Sequence, residues 1–117
     1  MTRESIMVHV VKEWPSTFGE TYMNYRRIQV RRNDRDYRAD DVLEICEFKP
    51  ETQTFTGKRC IKRITSVQES LHLQDGFVML SIEPMSYSQQ QDVFALLYAA
   101  ELTPAGASIL SHMDRVL

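Results

Sequence analysis

The chain has 117 residues, 14 Lys+Arg against 16 Asp+Glu for a formal charge of −2, and is 43% hydrophobic and 26% charged. That length fits one core, because two would each sit near the lower size limit, and the balanced composition excludes collagen-like, disordered and disulfide-framework chains. Its apolar stretches fall short of the ~20 residues of a membrane span, there is no basic start with an apolar run and cleavage site, and Cys46 and Cys60 form no metal-spaced pair; a cytoplasmic protein with reduced cysteines is expected.

Residues 6–12, Ile-Met-Val-His-Val-Val-Lys, are apolar and β-branched and run up to Trp14-Pro15, which predicts a buried first strand with His9 packed and hydrogen-bonded. Pro15 suits a first helical turn, where its missing N–H has no partner to lose. A short helix is expected over 16–24, with Phe18, Tyr22 and Tyr25 facing the core, Gly19 weakening it and Asn24 as a left-handed stop. Arg27 to Arg32 alternates, so Ile28 and Val30 are expected to point inward and Arg27, Gln29 and Arg31 outward. Asn33-Asp34-Arg35-Asp36 is turn chemistry, since these side chains bond nearby backbone amides.

Two long strands are predicted over 42–48 and 54–67, joined by the turn Lys49-Pro50-Glu51-Thr52-Gln53, with Gly57 marking a bulge. Gly76 leads into a last apolar strand over 77–82, stopped by Pro84. From Ser86 the period becomes helical: Ser86 with Gln89, or Ser88 with Gln91, forms a capping box, and Val93, Phe94, Leu97 and Tyr98 make an apolar stripe. Thr103-Pro104 opens a second helix with Ile109, Leu110, Met113 and Val116 on its buried side. The expected fold is α+β: a five-strand mixed sheet with one early helix over residues 1–85, then a two-helix extension over 86–117 that packs on the same domain or on a second copy in a homodimer.

Charge is unevenly placed. Residues 26–63 carry eleven of the basic side chains, eight of them arginine, against seven acids, which leaves that stretch at +4 and the remainder at −6. Arginine's planar fork of donors matches phosphate oxygens and stacks on bases. The alternatives at this level are a basic patch that focuses an anionic partner and arginines paired with the acids interleaved among them. His9, His72 and His112 are scattered and form no zinc constellation with the two cysteines, so no metal is expected. No Gly-rich phosphate loop and no nucleophile-elbow sequence occurs, so no cofactor or nucleotide hydrolysis is predicted.

Trp14-Pro15, a helix, then Val30-Arg31-Arg32-Asn33-Asp34-Arg35-Asp36-Tyr37 and Asp41-Val42-Leu43 resemble a small bacterial and phage family of unknown function. The hairpin Glu47-Phe48-Lys49-Pro50-Glu51-Thr52 with Phe55-Thr56-Gly57, and the closing Asp75-Gly76-Phe77-Val78-Met79-Leu80, fit it too, so the resemblance covers residues 8–83. That family is similar to the ASCH/PUA-like superfamily, which implies a mixed β-barrel, RNA binding, and a cleft between the first helix and the barrel. Carried over, the implied nucleic-acid-binding positions are Lys12, Trp14, Arg26, Arg27, Gln29 and Arg31, with Arg32, Asn33 and Arg35 at the rim. Trp14 either stacks on a base or caps the barrel beside Pro15. Some superfamily relatives resemble an amidohydrolase acting on acetylated cytidine through a Gly-x-Lys-x-x-Thr-x-Arg pattern. Here those positions read Asn24, Arg26, Gln29 and Arg31, and only the last matches. Arginine does not give up its proton as a buried lysine can, and glutamine has no hydroxyl nucleophile. The expectation is therefore an RNA-binding module without catalytic residues. The alternatives are a modified-nucleoside amidohydrolase working through other residues and a phage or mobile-element interaction protein that binds through its tail helices.

Overall fold

A computed structural model describes residues 6–70, 72–101 and 114–116, with side chains as far as residue 95. The elements run β1 (Met7–Glu13), α1 (Pro15–Tyr22), β2 (Ile28–Arg32), β3 (Val42–Lys49), β4 (Thr54–Gln68), β5 (Phe77–Pro84), α2 (Tyr87–Glu101) and β6 (Asp114–Val116). The strands form one sheet in the order β2-β5-β4-β3-β1-β6. β1 and β3 are parallel, with Val8 opposite Val42 and Glu13 opposite Glu47, and every other neighbouring pair is antiparallel. The sheet curls so that β2, at one end of the order, comes back toward β1.

Local chemistry explains most of the boundaries. Trp14 is extended and Pro15 takes the first helical position; the Trp14 carbonyl accepts from the N–H groups of Thr17 and Phe18. The helix stops where Asn24 turns left-handed, at φ 67°, a conformation asparagine tolerates better than most residues. Pro50 to Gln53 make the β3–β4 turn, and Gln53 (φ 55°) bonds back to the Pro50 carbonyl. Gly57 at φ 94° sits where the β3–β4 register shifts between Cys46 and Phe48, a bulge of the kind expected there. At α2 the Ser86 hydroxyl accepts from the Gln89 N–H and the Gln89 side chain accepts from the Ser86 N–H, a reciprocal capping box.

The two faces of the sheet bury two apolar layers. Inside the curl, Val11, Leu43, Ile45, Ile64, Val78, Leu80 and Ile82 pack with Phe18 of α1 and Tyr37. On the outer face, Val8, Val42 and Ile61 pack with Val93 of α2, flanked by Met85 and Phe94. His9 is fully buried and bonds to Asp41 at 2.9 Å, which also accepts from the backbone N–H of Met7 and Arg38. No helix among the described residues is long and apolar enough to cross a membrane.

Three expectations need correction. β2 lies with its faces reversed: Ile28 and Val30 are 49% and 54% exposed, while Gln29 is 5% exposed. Alternation held, but the inner face at this end is polar, because Glu13 and Thr21 already occupy it and Gln29 alone on the strand can satisfy them. Tyr22 and Tyr25 face solvent, because the left-handed turn at Asn24 ends the helical face and Thr21, three residues after Phe18, takes the inward place. Val116 belongs to a strand, not a helix: Asp114–Val116 pairs with Met7 to His9 and covers that part of an otherwise open β1 edge. Leu97, Tyr98, the Thr103-Pro104 helix and the predicted burial of Ile109, Leu110 and Met113 lie outside the described residues or side chains.

Candidate functional site

The junction of β1 and α1 faces β2 across a cleft of about 540 Å³ lined by Lys12, Glu13, Trp14, Arg26, Gln29 and Arg31. The sequence builds it in two short steps. Glu13 is two residues beyond Val11 on β1, so it shares that strand's inward face, and Thr21 lies one helical turn from Phe18 on α1. Both side chains then point at Gln29. Thr21 Oγ1 and Gln29 Nε2 donate to Glu13 Oε1 at 3.0 and 2.7 Å. Gln29 Oε1 in turn accepts from Arg31 Nη2 at 2.6 Å.

Arg31 also fixes the curl. Its Nη1 donates to the Lys12 carbonyl at 2.8 Å, and Arg35 Nη1 donates to the Val10 carbonyl at 2.6 Å. Two guanidinium groups thus stitch β2 and the loop after it to β1, where no strand-to-strand ladder among the described residues closes the sheet. Burial holds the Arg31 guanidinium below the usual arginine range, with Arg35 acting the same way and Tyr37 and Glu13 opposing both.

Three polar atoms around the cleft are buried and have no hydrogen-bond partner among the described residues: Glu13 Oε2, Arg26 Nε and Arg31 Nε. Buried polar atoms without partners are rare and costly, at ~1–3 kcal/mol each. All three belong to residues lining one cavity. One is an acceptor and two are donors, and none has surface open to the cleft, so they form a polar layer beneath its wall that a ligand meets only if the covering side chains shift.

The other expected positions divide between this cleft and elsewhere. Trp14 is 59% exposed on the cleft wall. Lys12 is exposed, with its ammonium 4.4 Å from the centre of the Phe48 ring. Arg32 and Arg35 line a smaller hollow of about 310 Å³, which shares Lys12 and Arg31 with the cleft and so extends it along the seam. Arg27 instead turns to the Asn24 carbonyl, and Asn33 lines a separate hollow with Asp75 and Gly76. Arg26 is shared between the cleft and Glu20, 2.8 Å away. Of the remaining arginines, Arg38 pairs with Asp36, Arg59 with the buried Glu44, and Arg63 with Asp40 and Glu83. The basic stretch is therefore partly self-neutralised, Arg35 too lying 3.8 Å from Asp34, and its concave part is the seam of Arg26, Arg31, Arg32 and Arg35, joined by Lys12 of β1.

Glu13 and Thr21 were not among the expected site residues. The signal for them is present, since each follows a core residue by one structural period, but an acid after a lysine and a threonine inside a short helix look like surface. No group of three or more His, Cys, Asp or Glu able to hold a metal occurs among the described residues. Cys46 and Cys60 are free thiols. Burial pushes the Cys60 thiol up to about 11, against the pull of Lys62.

Residues 8–82 match the family described as Domain of unknown function (DUF3850). The chain belongs to that family. The DUF3850 match runs from the second residue of β1 to near the end of β5, so it contains the whole cleft and the arginine seam and stops short of α2. No curated protein matches the chain.

Proposed function

We propose that the protein binds nucleic acid, RNA in the first instance, and seats an unpaired base in the cleft between α1 and β2. In this view the curled sheet is a barrel of the ASCH/PUA-like kind, and the cleft is that fold's ligand site. The observation that carries it is the concave seam that sets Arg26, Arg31, Arg32 and Arg35 beside the exposed Trp14, over a polar layer that includes the Glu13 carboxylate. A phosphate could use the two Nε donors but is repelled by Glu13 and gives it no hydrogen. A nucleobase edge offers ring or exocyclic N–H for the carboxylate and carbonyl or ring-nitrogen acceptors for the guanidiniums. Trp14 supplies an exposed ring for stacking, and Lys12, Arg32 and Arg35 place positive charge along the seam for the backbone.

Fluorescence anisotropy with a labelled single-stranded RNA of mixed sequence tests this. Affinity should fall steeply as salt rises, because bound phosphates release counterions. Glu13→Gln should weaken binding about 10-fold or more, the loss of one charge-assisted hydrogen bond of ~1.5–3 kcal/mol. If phosphate occupied the cleft, removing that negative charge would strengthen binding. Absence of binding at low salt, or tighter binding by Glu13→Gln, overturns the proposal.

A further inference from the structure

A second feature lies on the other side of α1, and none of its residues lines the cleft. Lys62 sits between Cys60 and Ile64 in the alternation of β4, which turns it to the concave side, and it is only 5% exposed. Its ammonium donates to Asn24 Oδ1. No carboxylate lies within ion-pair distance of it among the described residues. An ammonium has three donors, so two remain without an acceptor. Asn24 owes its place over Lys62 to the left-handed turn that ends α1.

Lys62 opens on a cavity of about 860 Å³ between the second half of α1 and the start of α2. It wraps the edge of β4 left open where the pairing with β5 ends at Lys62 and Pro84: Phe18 lies behind it with Lys62 on the concave side, Met85 and Phe94 wall it on the outer side, and Lys58 adds a second cation. The other charged groups there are already engaged: Glu47 accepts from the Thr56 hydroxyl at 2.8 Å, and Arg59 pairs with Glu44 and lies over the Phe94 ring. A buried cation with no counter-charge among the described residues is costly unless an anion or the loss of its proton relieves it. Burial lowers the Lys62 amine below the usual lysine range, and the charge of Arg27 adds to that, while Cys60 opposes it.

We infer that this cavity is a second binding site, for a small amphipathic anion whose carboxylate sits on Lys62 beside Asn24 and whose hydrocarbon or aryl body reaches round the open β4 edge to Met85 and Phe94. A carboxylate supplies both the missing charge and the missing acceptors. A neutral amphiphile of the same length supplies neither, and inorganic phosphate leaves the apolar wall exposed to water.

Calorimetric titration of the full chain with octanoate, 1-octanol and inorganic phosphate tests this. Octanoate should bind at least 10-fold more tightly than either of the others. Lys62→Met keeps the length and volume of the stem and should abolish the preference for octanoate over octanol. In the wild-type chain with reductively ¹³C-methylated lysines, octanoate should shift the Lys62 dimethylamine resonance and octanol should not, a readout that holds even if Lys62→Met fails to fold. Equal binding of octanoate and octanol, absence of octanoate binding, or a Lys62 resonance indifferent to octanoate overturns the inference. None of these measurements depends on nucleic-acid binding.

Discussion

The reversed faces of β2 give a sharp stability prediction. Paired substitutions Ile28→Ser and Val30→Ser remove side chains that are half exposed, so each forfeits only part of the ~1.5–3 kcal/mol that full burial of such a residue is worth. Their combined cost should be about 1–2 kcal/mol. Glu13→Ala instead removes the acceptor of two buried donors, Thr21 Oγ1 at 3.0 Å and Gln29 Nε2 at 2.7 Å. Each orphaned donor costs about 1–3 kcal/mol, so the single variant should lose about 2–5 kcal/mol, more than the pair of apolar-to-serine changes together. Urea unfolding followed by circular dichroism at neutral pH measures both, with the slope checked for constancy. On the opposite arrangement, with Ile28 and Val30 in the core and Glu13 in water, the order inverts: the serine pair becomes the damaging change and Glu13→Ala is nearly silent. That inverted order would refute the polar interior and the site built on it.

Two further outcomes follow from the β4 side chains. At pH 8 a thiol held at about 11 has ~100-fold less thiolate than one at 9.0, so iodoacetamide should modify Cys60 about 100-fold more slowly than an unfolded control, read by mass spectrometry; equal rates would show that the thiol is not buried. Lys62 is held below 10.5 when folded, so between its lowered value and 10.5 the unfolded chain binds the extra proton and stability gains from this group as pH rises. Cys60 acts oppositely above about pH 9, where the unfolded thiol ionises first, but both wild type and Lys62→Met carry it, so their difference isolates Lys62 as pH rises toward 10.5. Over that rise the wild-type chain should gain stability relative to Lys62→Met, and a constant difference would show that Lys62 carries its full charge inside.

Much of the architecture was legible in single residues. Trp14-Pro15 marks the strand-to-helix change, Asn24 the helix stop, Pro50 the hairpin, Gly57 the bulge and Ser86 with Gln89 the second helix start, each through the conformation or hydrogen bond that residue type favours. The five β-segments read from apolar periodicity are β1 to β5. The arginine stretch was visible too, but which arginines face one hollow was not. Arg38 pairs with Asp36 only two residues away, whereas Arg63 finds its acids across 23 and 20 residues of chain, a pairing that local sequence does not encode.

What the amino-acid order determined by itself is the set of elements and the period along each, because both follow from local backbone preferences and side-chain alternation. Which face of β2 points inward was decided only by the tertiary structure. Period two allows either face, and the choice fell to Gln29 because folding brings Glu13 and Thr21 to that end of the curl, where an apolar side chain would leave them unbonded. The same long-range placement turned Arg31 from a surface charge into a clasp on β1, and left Lys62 inside, bonded to Asn24 and with no acid within ion-pair distance among the described residues.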